Sequence, residues 1–215
     1  MAKKEVPKKE LGIKDVLKKT WNFIWNDNSI WSWLVALVLA FIIVKFIFFP
    51  LISFILGTPL PLVVIESGSM HHQDGSLFRA ITGIGITSSD SVESWYSKNG
   101  NWYSNRNITS KDFASWRYDW GMDKGDIVVV YGKKSKNIKL GDVIIFNAEQ
   151  KYPIIHRVVK IEERNGKFYF ATKGDNNADQ LPIEKDISED AILGVALMRI
   201  PKIGWIKLLF AGIIG

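Results

Sequence analysis

Residues 154–172 read IIHRVVKIEERNGKFYFAT. Two runs rich in Ile, Val, Phe and Tyr flank Asn165-Gly166, a dipeptide that tolerates the positive φ angles of a two-residue hairpin turn. The stretch therefore predicts two antiparallel strands, Ile154–Ile161 and Lys167–Thr172. Alternation sets His156 on the face of Ile154 and Val158, and Arg157 on the face of Ile155 and Val159. If Arg164 faces Lys167 and the register runs back unbroken, His156 faces Asp175; a bulge before residue 172 would spoil that pairing. Working outward, Asp126–Tyr131 and Asp142–Asn147 have the same composition and the same Gly, Asp or Asn boundaries, and LVVIE at residues 62–66 is also strand-like. No strand alternates with a long amphipathic helix, so the expected fold is mainly β rather than a doubly wound α/β sheet.

Toward the N-terminus the pattern changes. Residues 30–56 read IWSWLVALVLAFIIVKFIFFPLISFIL, with Lys45 as their one charge. About 20 apolar residues cross a bilayer core, so this run predicts a transmembrane anchor. Its exit, Leu56-Gly57-Thr58-Pro59, lacks the small-x-small pattern of a cleaved leader. Pro50 is expected to kink or end the regular helix, leaving Lys45 close enough to the outer end to snorkel. Seven lysines and four acids precede the span, and Lys45 is the only basic residue between Ile30 and Met70. The positive-inside rule then sets the N-terminus in the cytoplasm and the body of the chain outside the cell membrane. Ile13, Val16, Leu17, Trp21, Ile24 and Trp25 share one helical face, which suits a helix lying in the cytoplasmic interface; a solvated tail is the alternative. The expected organisation is a basic, interfacial segment 1–29, an anchor 30–56, an extracytoplasmic domain 57–202, and an apolar segment 203–215 that is interfacial or a short second anchor. Residues 73–120, rich in Ser, Asn, Gly and Trp, form an insert in that domain. Its aromatic residues build either a small local core or a surface for peptide or membrane. Asn107-Ile108-Thr109 within it is a glycosylation sequon.

Composition excludes several functions. The 215 residues include no cysteine, which removes disulfides, a thiol nucleophile and thiolate metal sites. The net charge of +6 comes in good part from the N-terminal lysines, so no nucleic-acid partner is expected. The histidines are His71, His72 and His156; an adjacent pair on a loop without a carboxylate at ligand spacing argues against a metal, and no cofactor is expected. His156 among aliphatic neighbours is as compatible with core packing as with catalysis. Ser67-Gly68-Ser69-Met70 is, alone, a common loop.

Their order carries more. SGSM just outside an anchor, then KGDIVVV, then IIHRV, then TKGDNNAD resembles the type I signal peptidases of the archaeal and endoplasmic-reticulum branch, in which a histidine stands in place of the bacterial catalytic lysine. The resemblance covers roughly residues 30–70 and 122–206 and leaves the insert outside. It implies a signal-peptidase-like β-domain with serine endopeptidase activity. Its substrates would be preprotein signal peptides with small residues before the cut, and its surroundings a lipid bilayer. It also implies roles: Ser69 as nucleophile, His156 as general base, Asp179 as the associated acid, Asp175 as a support pairing with Arg157, and Ser67 as an oxyanion donor beside the Ser69 amide. The hairpin register favours Asp175 as the neighbour of His156, whereas the family pattern favours Asp179. Two departures stand out: His72 occupies a place where the family usually has proline, and the spacing from Asp175 to Asp179 is compressed.

Overall fold

The structure is a computed structural model that describes residues 12–72 and 89–214; Lys3, Lys4, Lys8 and Lys9, and the first part of the insert, 73–88, lie outside the described residues. The chain divides into two compact units, 1–52 and 53–215.

Toward the N-terminus, helix α1 (Ile13–Asn26) precedes a long helix, α2 (Ile30–Leu56). Ser29 caps α2 by accepting the Ser32 amide, and the Ser32 hydroxyl donates to the Phe23 carbonyl at 2.6 Å, tying the two helices together. α2 is long and apolar enough to cross a membrane, and its most apolar window has no buried residue. Pro50 does not end it. The turn before the proline, Val44–Phe48, widens to π geometry, with the Phe49 amide donating to the Val44 carbonyl. A wide turn is one way a helix accommodates the missing proline N–H and the ring's clash one turn back. The apolar face of α1 is exposed, with Leu17, Trp21 and Trp25 each more than half accessible.

The second unit is built on a seven-stranded antiparallel sheet. Its strands are β1 (Leu62–Val64), β2 (Ile127–Tyr131), β3 (Val143–Phe146), β4 (Ile154–Arg164), β5 (Lys167–Lys173), β6 (Ile187–Ser188) and β7 (Ile192–Ile200), in the order β1-β2-β7-β3-β4-β5-β6. All four β3 side chains are buried. Val143 and Ile145 join Met70, Met122, Val128, Val130 and Ala196 in one core, while Ile144 and Phe146 join Val158, Phe170, Ile187 and Val195 in another. Two covered faces explain the unbroken apolar run of this strand.

The β4–β5 hairpin turns at Asn165-Gly166, both at positive φ (54° and 75°), and Arg164 faces Lys167 as the turn dictates. The register holds as far as Lys160 opposite Ala171, then shifts at a bulge between Val158 and Lys160. Beyond it Arg157 faces Lys173, so His156 does not face Asp175 as an unbroken register requires. The bulged residue, Val159, packs against the insert.

The described part of the insert folds as three short helices, α3 (Ser89–Asn99), α4 (Asn101–Ser104) and α5 (Ser110–Ser115). Thr109 and Asp112 form a capping box that starts α5. Val92, Trp95, Tyr103, Ile108 and Phe113 make a local core, with Trp102 and Trp116 partly buried against it. The chain ends in helix α6 (Trp205–Ile214), preceded by exposed Ile203 and with Trp205, Ile206 and Leu209 exposed along it.

Candidate active site

Ser69 follows β1 in a turn, half-buried, while Met70 beside it is driven into the core. That anchoring is reinforced by the Met122 amide, which donates to the Met70 carbonyl at 2.8 Å. From the other side the Asn176 amide donates to the Ser69 carbonyl at 2.7 Å, and the Asn176 side chain donates to the Gly68 carbonyl at 3.0 Å. The loop that carries Ser69 is thus held by main-chain bonds on both sides. Ser67 Oγ lies 3.1 Å from Ser69 Oγ.

His156 stands on β4 opposite Ile144, and its Nε2 is 2.9 Å from Ser69 Oγ. Its Nδ1 meets the Glu184 carboxylate. Glu184 lies in a 3₁₀ turn, Pro182–Glu184, and is wholly buried. Its Oε1 also accepts from Thr172 Oγ1 at 3.1 Å, and its Oε2 from the Leu181 amide at 2.7 Å. Thr172 faces Val158 across the hairpin, on the His156 face of the sheet, so one carboxylate reaches both side chains. A carboxylate on Nδ1 favours the tautomer with its proton there and leaves Nε2 free to accept from the serine.

Neither aspartate that the sequence singled out touches His156. Gly174, not Asp175, comes up against its imidazole: a Cβ at this position would sit 2.7 Å from His156 Nε2. Asp179 is exposed and accepts from Trp102 Nε1 at 2.7 Å and from the Gln180 amide at 2.7 Å. The acid beside the imidazole is Glu184, 28 residues along the chain from His156. Nothing in its sequence context marks it, because its position follows from the bulge in β4 and the turn at Pro182.

Asp175 organises the opposite face. It is buried and accepts from Arg157 Nε at 2.9 Å and Nη2 at 2.7 Å, from Tyr103 Oη at 3.0 Å, and lies 3.0 Å from His72 Nε2. Burial alone would raise its pKa, but the Arg157 guanidinium and the His72 hydrogen bond outweigh it and hold the carboxyl below the usual range. Arg157 also donates to the carbonyls of Arg117, Gly141 and Tyr118, and its guanidinium lies 4.8 Å from the Phe113 ring. His72 stacks on Trp95 with ring centroids 3.9 Å apart. Asp175, Arg157 and His72 thus connect the Ser69 loop, β4 and the insert. Lys173 beside them is buried and donates to the Gly174 carbonyl at 2.9 Å. Burial pulls its pKa down to about 8, against the upward pull of Asp175, Glu184 and Asp179.

A hydroxyl, an imidazole and a buried carboxylate in series are the constellation of a serine hydrolase, here carried by an antiparallel β-domain. No protein-family model matches the chain. It is 35% identical over 96 residues to the signal peptidase complex catalytic subunit SEC11 of Lachancea thermotolerans, covering 40% of this chain and 56% of that protein. The Eremothecium gossypii subunit of the same name is also 35% identical over 96 residues, covering 41% and 57%. Human SEC11C is 30% identical over 93 residues, covering 40% and 48%. The chain spans about half the length of the curated relatives it matches. Its homologues are thus signal peptidase catalytic subunits, at modest identity over about 40% of its length.

Proposed function

We propose that this chain is a membrane-anchored serine endopeptidase that cleaves signal peptides from exported preproteins. The observation that carries the reading is the 2.9 Å approach of His156 Nε2 to Ser69 Oγ, with a buried carboxylate on the far nitrogen. Ser69 Oγ attacks the scissile carbonyl carbon as His156 takes its proton. Ser67 Oγ and the Ser69 amide are the donors assigned to the oxyanion, whose stabilisation in such sites is worth about 3–4 kcal/mol per donor. The carbon–nitrogen bond then breaks, and His156 passes its proton to the leaving amine. Water, deprotonated by His156, hydrolyses the ester and restores Ser69. Glu184 is the positioning residue for the imidazole in this scheme. Arg157–Asp175 acts as the support, and Asp179 has no direct part.

The substrate would carry small residues before the cut, as the family resemblance implies. Residues 30–56 would form the anchor, with the N-terminus cytoplasmic and the domain from residue 57 on the outer surface of the cell membrane; 203–215 would lie in the interface. The test is cleavage of a preprotein by the full chain in detergent. Ser69→Ala and His156→Ala should each lower turnover by about 10³-fold or more. Turnover within a few-fold of wild type by a folded Ser69→Ala variant would overturn the reading.

A further inference from the structure

Beside the Ser69 loop, the insert and the segment after β5 enclose a cleft of ≈ 460 Å³. Lys98, Asn101, Asn105 and Arg106 line it on the insert side, and Asn176 and Asn177 on the other. Both walls are fixed. Adjacent residues of α4 bond across the gap, Trp102 Nε1 to Asp179 at 2.7 Å and Tyr103 Oη to Asp175 at 3.0 Å. Arg106 is held as well: its guanidinium lies 3.7 Å from the Trp102 ring, and Nη1 donates to the Trp102 carbonyl at 3.0 Å. Asn176 links cleft and nucleophile, because it lines the cleft while its amide holds the Ser69 carbonyl.

The charge of the cleft narrows what it can hold. Lys98 and Arg106 face it; of the nearby carboxylates, its Asp175 is already paired with Arg157, and the exposed Asp179 across the gap offsets one of the two cations. A leader has a positive start, an apolar middle and small uncharged residues at its exit. The net positive charge of the cleft complements none of these three parts. The remaining part of the substrate is the chain that follows the cut. Asparagine side chains can pair with the main chain of an extended peptide, and the two cations with its carboxylates.

We propose that this cleft is a specificity subsite for acidic residues on the leaving side of the scissile bond. The inference rests on the peptidase reading above and adds the insert to it as a selector. Acidic side chains just after the cut raise kcat/KM, and basic ones lower it.

The test uses the full chain in detergent and three peptides with one leader half, carrying aspartate, asparagine or lysine at the second to fourth positions after the cut. Wild type should prefer the aspartate peptide over the lysine peptide by about fivefold or more, the scale of two exposed ion pairs. Lys98→Glu/Arg106→Glu should abolish or invert that ratio. Lys136→Glu/Lys139→Glu, an equal change of charge outside the cleft, should keep it. Equal ratios in wild type and the cleft variant would overturn the subsite while leaving the peptidase intact. Should no peptide be cut, the peptidase reading fails by itself. Fluorescence anisotropy of the same labelled peptides then decides the cleft, since charge preference in binding must disappear with Lys98→Glu/Arg106→Glu.

Discussion

At the scale of single residues, the two acids nearest His156 in expectation and the one nearest in space make different predictions. Glu184→Gln keeps the volume and removes the anion on Nδ1, so it should favour the wrong tautomer and lower kcat by about 10²–10⁴-fold, with a smaller change in KM. Asp179→Asn leaves the imidazole alone, and its kcat should stay within about threefold of wild type. Steady-state kinetics of the two variants decide between these acids, and a large loss in Asp179→Asn alone would return the role to it. A melting curve separates positioning from folding, because the buried Glu184 also receives Thr172 and the Leu181 amide.

At the scale of elements, the hairpin was legible in its Asn-Gly turn, and the strands around it in their β-branched runs. The acid of the site was not, because one extra residue at Val159 rotates everything before it by a position. A bulge leaves little trace in composition. Strand β7 was also hard to see: Gly194 interrupts it, and its partners β2 and β3 lie more than 40 residues earlier in the sequence. Ser69 and His156, by contrast, were marked by the order of short blocks, and their elements bring them together. The bulge makes a prediction of its own. Since Gly174 abuts the imidazole, Gly174→Ala should push His156 or Asn177 aside. Turnover should fall about tenfold or more, while stability changes by only ~1 kcal/mol. Unchanged turnover would mean that the ring has room to yield.

At the scale of the whole molecule, buried charges shape the response to pH. Lys173 has a folded pKa of about 8 against its ordinary 10.5, so between these values the unfolded chain binds more protons. Stability should therefore rise as pH increases through that window, by on the order of 3 kcal/mol. Lys173→Met should remove the rise, as denaturant titrations at pH 7.5 and 10 would reveal. Asp175 works at the other end: its contribution is complete above its unfolded pKa and is lost as pH falls through its lower folded value. Asp175→Asn should cost about 3–5 kcal/mol at neutral pH by leaving Arg157 buried without its anion, and should flatten the acid limb of the stability curve. The sheet order has one more consequence. β7 comes last in sequence yet lies between β2 and β3, so both neighbours keep an open edge until residues 192–200 have left the ribosome. Glu184 is synthesised only shortly before that strand. A nascent chain therefore carries Ser69, beside β1, and His156, on β4, on two separate pieces of sheet until β7 joins them.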